Sequence, residues 1–215
     1  MSYLIEEAKN KYGSILFFKR KGASYSKELI NNLKLEEPFV KALENEEYNT
    51  FIDIGAGFGY FTTIASHYTD KVLAFEPHPL RYGFLEWNTR NLKNVELYKK
   101  YIGTNQPHIS KYPYGMVRSK SPKRTEIFNI STMRLDEIPF KSYNSAIIKI
   151  DVEGNEIDVI LSAGNLLFEP YIIWLIEVHY KLIDRKQIFN LFKDFNAKQL
   201  EVRKMTEHWK FWREG

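Results

Sequence analysis

Four short, mostly apolar runs, Phe51–Ile54, Val72–Phe75, Ala146–Ile150 and Ile172–Ile176, are closed by turn or charged residues and separated by stretches of a different period. Runs of this length and composition read as strands buried on both faces of a sheet. Between them, Phe61, Ile64, Ala65 and Tyr68 recur at helical spacing, as do Leu80–Asn91 and the group Ile157, Ile160, Leu161 and Leu167; Arg185–Phe195 fits a further helix. Strand and helix alternating in this way predict a doubly wound, mostly parallel α/β sheet, because each crossover must return over the sheet.

The two ends of the chain depart from the alternation. Lys198–Lys204 and His208–Trp212 alternate with period two and are close enough to form a hairpin at the sheet edge. Upstream, Ser26–Leu33 and Glu36–Leu43 read as two short helices, with Pro38 in the first turn of the second. Residues 1–48 are therefore expected to form a helical N-terminal cap on a sheet domain spanning 49–215, compact as a whole. Residues 99–125 hold neither period and contain Gly103, Pro107, Pro113, Gly115 and Pro122, which predicts a long irregular excursion.

Composition narrows the chemistry. The 215 residues contain no cysteine, which excludes a disulfide framework, a thiolate metal site and a cysteine nucleophile. No apolar run approaches the roughly 18 residues that span a bilayer, and the first ten residues carry Glu6, Glu7 and Lys9; a soluble, cytoplasmic protein is expected. The net charge of +4 is unevenly distributed: residues 99–125 hold seven basic side chains and no acidic one.

The strongest chemical signal is Asp53-Ile54-Gly55-Ala56-Gly57-Phe58-Gly59, which follows a strand and opens a helix. Glycines there allow positive φ and close approach of backbone to a ligand. A dinucleotide fingerprint needs its third glycine at position 60, which is Tyr60, so an acid before three alternating glycines suits a ligand with a cationic amine and sulfonium in place of a pyrophosphate. The next strand ends Phe75-Glu76-Pro77, and a carboxylate at that place can accept both hydroxyls of a ribose.

With Ala74-Phe75-Glu76-Pro77, Ile148-Lys149-Ile150-Asp151-Val152-Glu153-Gly154-Asn155-Glu156 and Glu177-Val178-His179, the glycine block resembles the S-adenosyl-L-methionine-dependent methyltransferases of the Rossmann-like class I, and within them the FkbM family, over roughly residues 50–180. Family members usually carry Asn where this chain has Gly57. The resemblance implies a seven-stranded sheet with an antiparallel last strand, and O-methylation of a sugar, glycan or small metabolite. It implies that Asp53, Gly55, Ala56, Gly57, Gly59 and Tyr60 hold the methionyl part of the cofactor and that Glu76 and Pro77 hold its ribose. Tyr101 and Ile102, after the strand Val95–Tyr98, are candidates to flank the adenine.

The block after the fourth strand lies where doubly wound sheets place reacting groups. Methyl transfer is an in-line displacement on an already activated electrophile, so the protein aligns the acceptor and removes its proton. Lys149, Asp151 and His179 are the candidate proton acceptors or positioners; His179 is favoured by its intrinsic pKa, with Glu177 two residues before it. Asp151 also borders the cofactor. Two oxygens and an imidazole could bind a divalent metal, but the spacing does not demand one, and no metal is assigned. Glu153, Glu156 and Asp158 serve either the acceptor or the start of the following helix. His67, His78, His108 and His208 show no ligand spacing and read as surface residues; Trp87 and Trp174 read as core.

The basic segment, with Lys111, Arg118 and Lys120 among tyrosines, suits an anionic glycan, a phosphorylated sugar or a nucleic acid, or is a solvated insertion. Asp151-Val152-Glu153-Gly154 is not the Asp/Asn-Pro-Pro-aromatic turn with which amino-methyltransferases hold a flipped base. A small-molecule or carbohydrate acceptor is therefore expected ahead of a nucleic acid, with a non-catalytic binding domain as the remaining alternative.

Overall fold

A computed structural model describes residues 3–20, 27–34, 36–104, 130–139 and 145–214. The predicted sheet is present and has seven strands. Strands β3 (Thr50–Ile54), β4 (Lys71–Phe75), β5 (Val95–Tyr98), β8 (Ala146–Ile150) and β9 (Ile172–Val178) run parallel, and β10 (Asn196–Val202) and β11 (Glu207–Trp212) complete it. The spatial order is β10-β11-β9-β8-β3-β4-β5, with β11 antiparallel to both of its neighbours. The C-terminal hairpin thus inserts its second strand beside β9 and leaves β10 on the edge. Two short segments, β6 (Tyr101–Ile102) and β7 (Thr132–Met133), pair outside this sheet.

Strand alternation divides the core between the two faces. On one face Ile52, Ile54, Leu73, Phe75, Ile148, Ile150, Trp174 and Ile176 pack against α5 (Glu156–Leu161) and α6 (Arg185–Leu191). On the other, Phe51, Val72, Ile147 and Leu175 pack against α2 (Glu37–Asn45) and α3 (Tyr60–Ala65). This second face changes character toward the carboxyl ends of the strands. Two residues beyond Phe51, Ile147 and Leu175 stand Asp53, Lys149 and Glu177, all buried. Asp53 pairs in register with Lys149, and His208 of β11 with Glu177. Period two therefore gathers a charged row on one side of the sheet.

The N-terminal cap is not purely helical. Strands β1 (Tyr3–Asn10) and β2 (Gly13–Arg20) form an antiparallel hairpin ahead of α1 (Lys27–Asn31) and α2. Its Ala8, Tyr12, Ile15 and Phe17 enter the α2/α3 side of the core. Asn88 of α4 (Pro79–Thr89) fastens it: the side chain accepts from Leu16 N at 2.8 Å and donates to Leu16 O at 2.8 Å and Phe58 O at 2.7 Å. Two further expectations are overturned. Trp87 lies on the outer side of α4 and is 53% exposed, whereas His208 is fully buried because β11 is an interior strand. Trp174 is in the core as expected. Among the described residues, no helix is long and apolar enough to cross a membrane.

Candidate active site

The glycine turn is fixed from both sides. Gly55 N and Ala56 N donate to Phe75 O, each at 3.0 Å, and Asp151 N donates to Ile54 O at 3.0 Å, so the turn is held between the ends of β4 and β8. Gly55 has φ +80°, and a Cβ there would lie 1.9 Å from the Asp151 carbonyl oxygen; only glycine lets the two strand ends approach. Gly57, at φ +59°, faces open space, with nothing within 4 Å of an added Cβ. This left-handed conformation is also one that asparagine adopts readily.

Glu76 lies under the turn and is 2% exposed. Its Oε2 accepts from Gly57 N at 2.9 Å and its Oε1 from His78 N at 2.8 Å. Each carboxylate oxygen keeps a lone pair for another donor. Burial raises the Glu76 pKa; Arg81 and the two backbone donors oppose that shift. Pro77 follows, and His78 caps α4 by accepting from Leu80 N at 3.2 Å.

Asp53 is fully buried, with both oxygens engaged: Oδ1 with Lys149 Nζ at 3.1 Å and Oδ2 with Thr62 Oγ1 at 2.7 Å. Its surroundings thus make it a strut between β3, β8 and α3. Lys149 Nζ also lies 3.5 Å from Gly55 O, 3.9 Å from Asp151 Oδ2 and 5.0 Å from the centre of the Phe61 ring. Burial would lower its pKa, but Asp53, Asp151 and Glu36 outweigh burial and hold it above the ordinary lysine range. Lys149 is therefore a fixed cation, which removes it from the candidate bases.

Asp151, Glu177 and His179 come together: one ligand-capable atom from each lies within 4.8 Å of the others. His179 Nδ1 donates to Glu156 Oε1 at 2.5 Å, and that oxygen also accepts from Gly154 N at 3.0 Å. Burial lowers the His179 pKa, but the Glu156 bond and the neighbouring carboxylates overcome it and raise the pKa to about 10. His179 is consequently charged at neutral pH in the protein alone, contrary to its selection by intrinsic pKa. Burial and Glu177 push Asp151 upward, against Lys149 and His179. Glu177 is held low by the His208 and His179 rings in spite of burial. The side chain of Asp151 is 24% exposed, against 2% for Lys149, 9% for Glu177 and 4% for His179, so it is the one of these four that meets solvent in the cleft.

The other expected positions are more scattered. Glu153, at φ +52°, pairs with Arg81 at 3.4 Å, which links the turn after β8 to α4. Ala56 and Tyr60 are buried behind the turn. Tyr101 and Ile102 are buried too, and Tyr101 Oη donates to Asp158 Oδ2 at 2.5 Å, which ties β6 to α5. Lys111, Arg118 and Lys120 lie outside the described residues. Sequence reasoning missed Thr62, Glu36 and His208 and left Glu156 undecided. The pairing of β11 with β9 is what brings His208 to Glu177, and nothing local to position 208 announces it.

Residues 53–211 match the methyltransferase FkbM domain, a span that takes in the glycine turn, Glu76 and the Asp151/His179 cluster. The chain belongs to the FkbM methyltransferase family. A search of the curated proteins finds no match. Among solved structures, methyltransferase FkbM from Methylobacillus flagellatus KT aligns with a TM-score of 0.53 at 16% identity, covering 77% of this chain and 44% of its own. This FkbM chain therefore spans less than half the length of that relative. Precorrin-6y C5,15-methyltransferase from Geobacter metallireducens GS-15 aligns at 0.53 and 15% identity over 90% of this chain and 95% of its own. The Thermus thermophilus 16S rRNA N2 G1207 methyltransferase, solved with AdoMet and guanosine, aligns at 0.55 and 12% identity over 99% and 51%. These likenesses establish the class I methyltransferase fold.

Proposed function

We propose that this FkbM domain binds S-adenosyl-L-methionine at the carboxyl ends of β3 and β4 and methylates a hydroxyl oxygen of a sugar, glycan or small metabolite. The observation that carries the reading is the Glu76 carboxylate, buried and held by Gly57 N and His78 N while retaining acceptor capacity beneath a glycine turn that opens onto free space. A ribose diol fits such an acceptor, and an unhindered backbone fits the methionyl chain. The cofactor would supply a methyl group on a sulfonium.

Asp53 acts from behind the turn, fixing Lys149 and Thr62 so that Gly55 and Gly57 keep their shape. Tyr101 and Ile102 form the floor beyond Tyr98 on which the adenine rests. On the acceptor side, Lys149 and His179 are held as cations, which leaves Asp151, with its exposed edge, to receive the hydroxyl proton. Glu153 and Arg81 line the entrance, and the basic segment containing Lys111, Arg118 and Lys120 suits an acceptor with negative charge. The turn after β8, Asp151-Val152-Glu153-Gly154, lacks the prolines and ring that hold a base for amino-methylation, which favours oxygen as acceptor.

Calorimetric titration with S-adenosyl-L-methionine and with NAD tests the cofactor, with Glu76→Ala expected to weaken the former at least tenfold. Transfer of labelled methyl onto sugars, glycans, phenols and RNA tests the acceptor. Binding of NAD alone refutes the cofactor assignment, and labelling confined to RNA refutes the acceptor class.

A further inference from the structure

We infer that Asp151, Glu177 and His179 hold a divalent cation, of the Mn2+ type before Mg2+, which grips the acceptor through two adjacent oxygens. The role given to the cation rests on the function proposed above; its binding does not.

Three features converge on a cation. The first is the donor set: two carboxylate oxygens and one imidazole nitrogen within 4.8 Å of one another, at the end of the cleft where Asp151 meets solvent. Mixed oxygen and nitrogen donors of this kind suit Mn2+, and the nitrogen ranks it above Mg2+. The second is the support behind the ligand. His179 gives Nδ1 to Glu156 at 2.5 Å, which leaves Nε2 for a metal, the carboxylate-backed arrangement common to metal-bound histidines. Glu156 is itself fully buried and fixed by Gly154 N.

The third is uncompensated polarity beside the triad. His208 is fully buried and backed in the same way, Nδ1 to Glu201 at 2.9 Å, and its Nε2 lies 3.5 Å from Glu177 Oε1 with no hydrogen-bond partner among the described residues. The Glu36 carboxyl group, whose buried Oε2 is likewise without a partner among them, has an oxygen within 4.8 Å of Glu177 and His208. Glu201 is matched by Arg203 at 2.8 Å. Five carboxyl groups, on Glu36, Asp53, Asp151, Glu156 and Glu177, thus crowd around Lys149, His179 and His208. Carboxyl groups crowded in this way, with buried polar atoms left unpaired among them, offer a cation a place that the described side chains do not fill. The second triad, Glu36, Glu177 and His208, is the lesser candidate, because His208 has no exposed edge through which an acceptor could be reached.

Bound there, the cation keeps coordination positions for two neighbouring oxygens, such as vicinal hydroxyls on a sugar, and acidifies the one that reacts. Its oxygen forms the new bond to the methyl carbon as the carbon–sulfur bond breaks and returns its electron pair to sulfur. The hydroxyl proton passes to the Asp151 oxygen not bound to the cation. The cation thus supplies the activation that His179, tied to Glu156, cannot.

The test is titration of the chelator-treated full chain with MnCl2, followed by calorimetry and by loss of the free Mn2+ electron-spin signal, with S-adenosyl-L-methionine binding measured separately on each protein. One Mn2+ per chain is expected, weakened at least tenfold by Asp151→Asn and by Glu177→Gln, and by about 10–100-fold by Glu156→Gln, which alters the support behind the His179 ring and none of the three donors. Each variant is to retain its parent circular dichroism spectrum; Asp151→Asn, at a partly exposed position, is the one least exposed to folding defects. Absence of Mn2+ binding to folded protein overturns the site, whether or not the cofactor binds. Loss of Mn2+ binding in Glu36→Gln with none in Asp151→Asn overturns the choice of triad. Mn2+ binding without cofactor binding upholds the site and refutes the function proposed for it.

Discussion

Replacing Lys149 by methionine removes the cation of a pair in which both partners are essentially without solvent contact and stand 3.1 Å apart. At an effective dielectric of about 20, two unit charges at that distance attract by about 5 kcal/mol, much of it offset by the cost of withdrawing both from water. The net value of the pair is therefore small, but breaking it on one side is not. Asp53 would be left buried with Thr62 as its remaining side-chain donor, and such a loss costs about 3–5 kcal/mol. For a chain of this length that corresponds to a fall in Tm of about 6–20 °C. Urea denaturation followed by tryptophan fluorescence gives the free energy directly. The double variant Asp53→Asn/Lys149→Met, which removes both charges and keeps an acceptor for Thr62, should recover more than half of the loss. A cost below about 1 kcal/mol for Lys149→Met, or a double variant no more stable than the single, would show that the strut is not held by this pair.

The glycine turn separates two substitutions sharply: Gly57→Asn should stay within about 1 kcal/mol of the parent in urea, since φ +59° suits asparagine and the side chain meets nothing. Gly55→Ala should cost at least about 3 kcal/mol or fail to accumulate as soluble protein, because its methyl would fall on the Asp151 carbonyl; equal stabilities would refute the close approach. In chelator, the His179–Glu156 pair sets a pH dependence: with the histidine raised from 6.5 to about 10, its contribution is complete below pH 6.5 and fades as pH rises toward 10. The urea midpoint should fall between pH 6 and pH 9.5 more steeply for the parent than for Glu156→Gln, and parallel slopes would contradict the assignment. Because burial raises the Glu76 pKa and ribose hydroxyls donate best to its ionised form, cofactor binding just above the ordinary glutamate range should release a proton. Calorimetry in buffers of differing ionisation enthalpy would detect it, and heats independent of buffer would count against Glu76 as the ribose acceptor.

The parallel strands were legible because a strand buried on both faces has to be apolar throughout, and the turn at Asp53–Gly59 was legible because few conformations need alternating glycines between a strand and a helix. The N-terminal hairpin is hard to read because neither strand shows a clean period of two: Ile15-Leu16-Phe17-Phe18 is apolar without alternation, and Glu6, Glu7 and Lys9 leave the first strand largely polar around Ala8. The site resisted reading for a different reason. The intrinsic pKa of His179 is all that its residue type shows, while the group that raises it, Glu156, stands on another element 23 residues away. His208 reads as a surface residue in the sequence, while the insertion of β11 beside β9 buries it against Glu177. In both cases the type of residue was visible and its partner was not, since strand order and register are long-range properties. The chemistry follows the partners. Asp53, Lys149, Glu177 and His208 are ordinary polar side chains along four separate segments, and it is the alternation of the strands, combined with their order in the sheet, that turns them into one buried row ending at the open edge of Asp151.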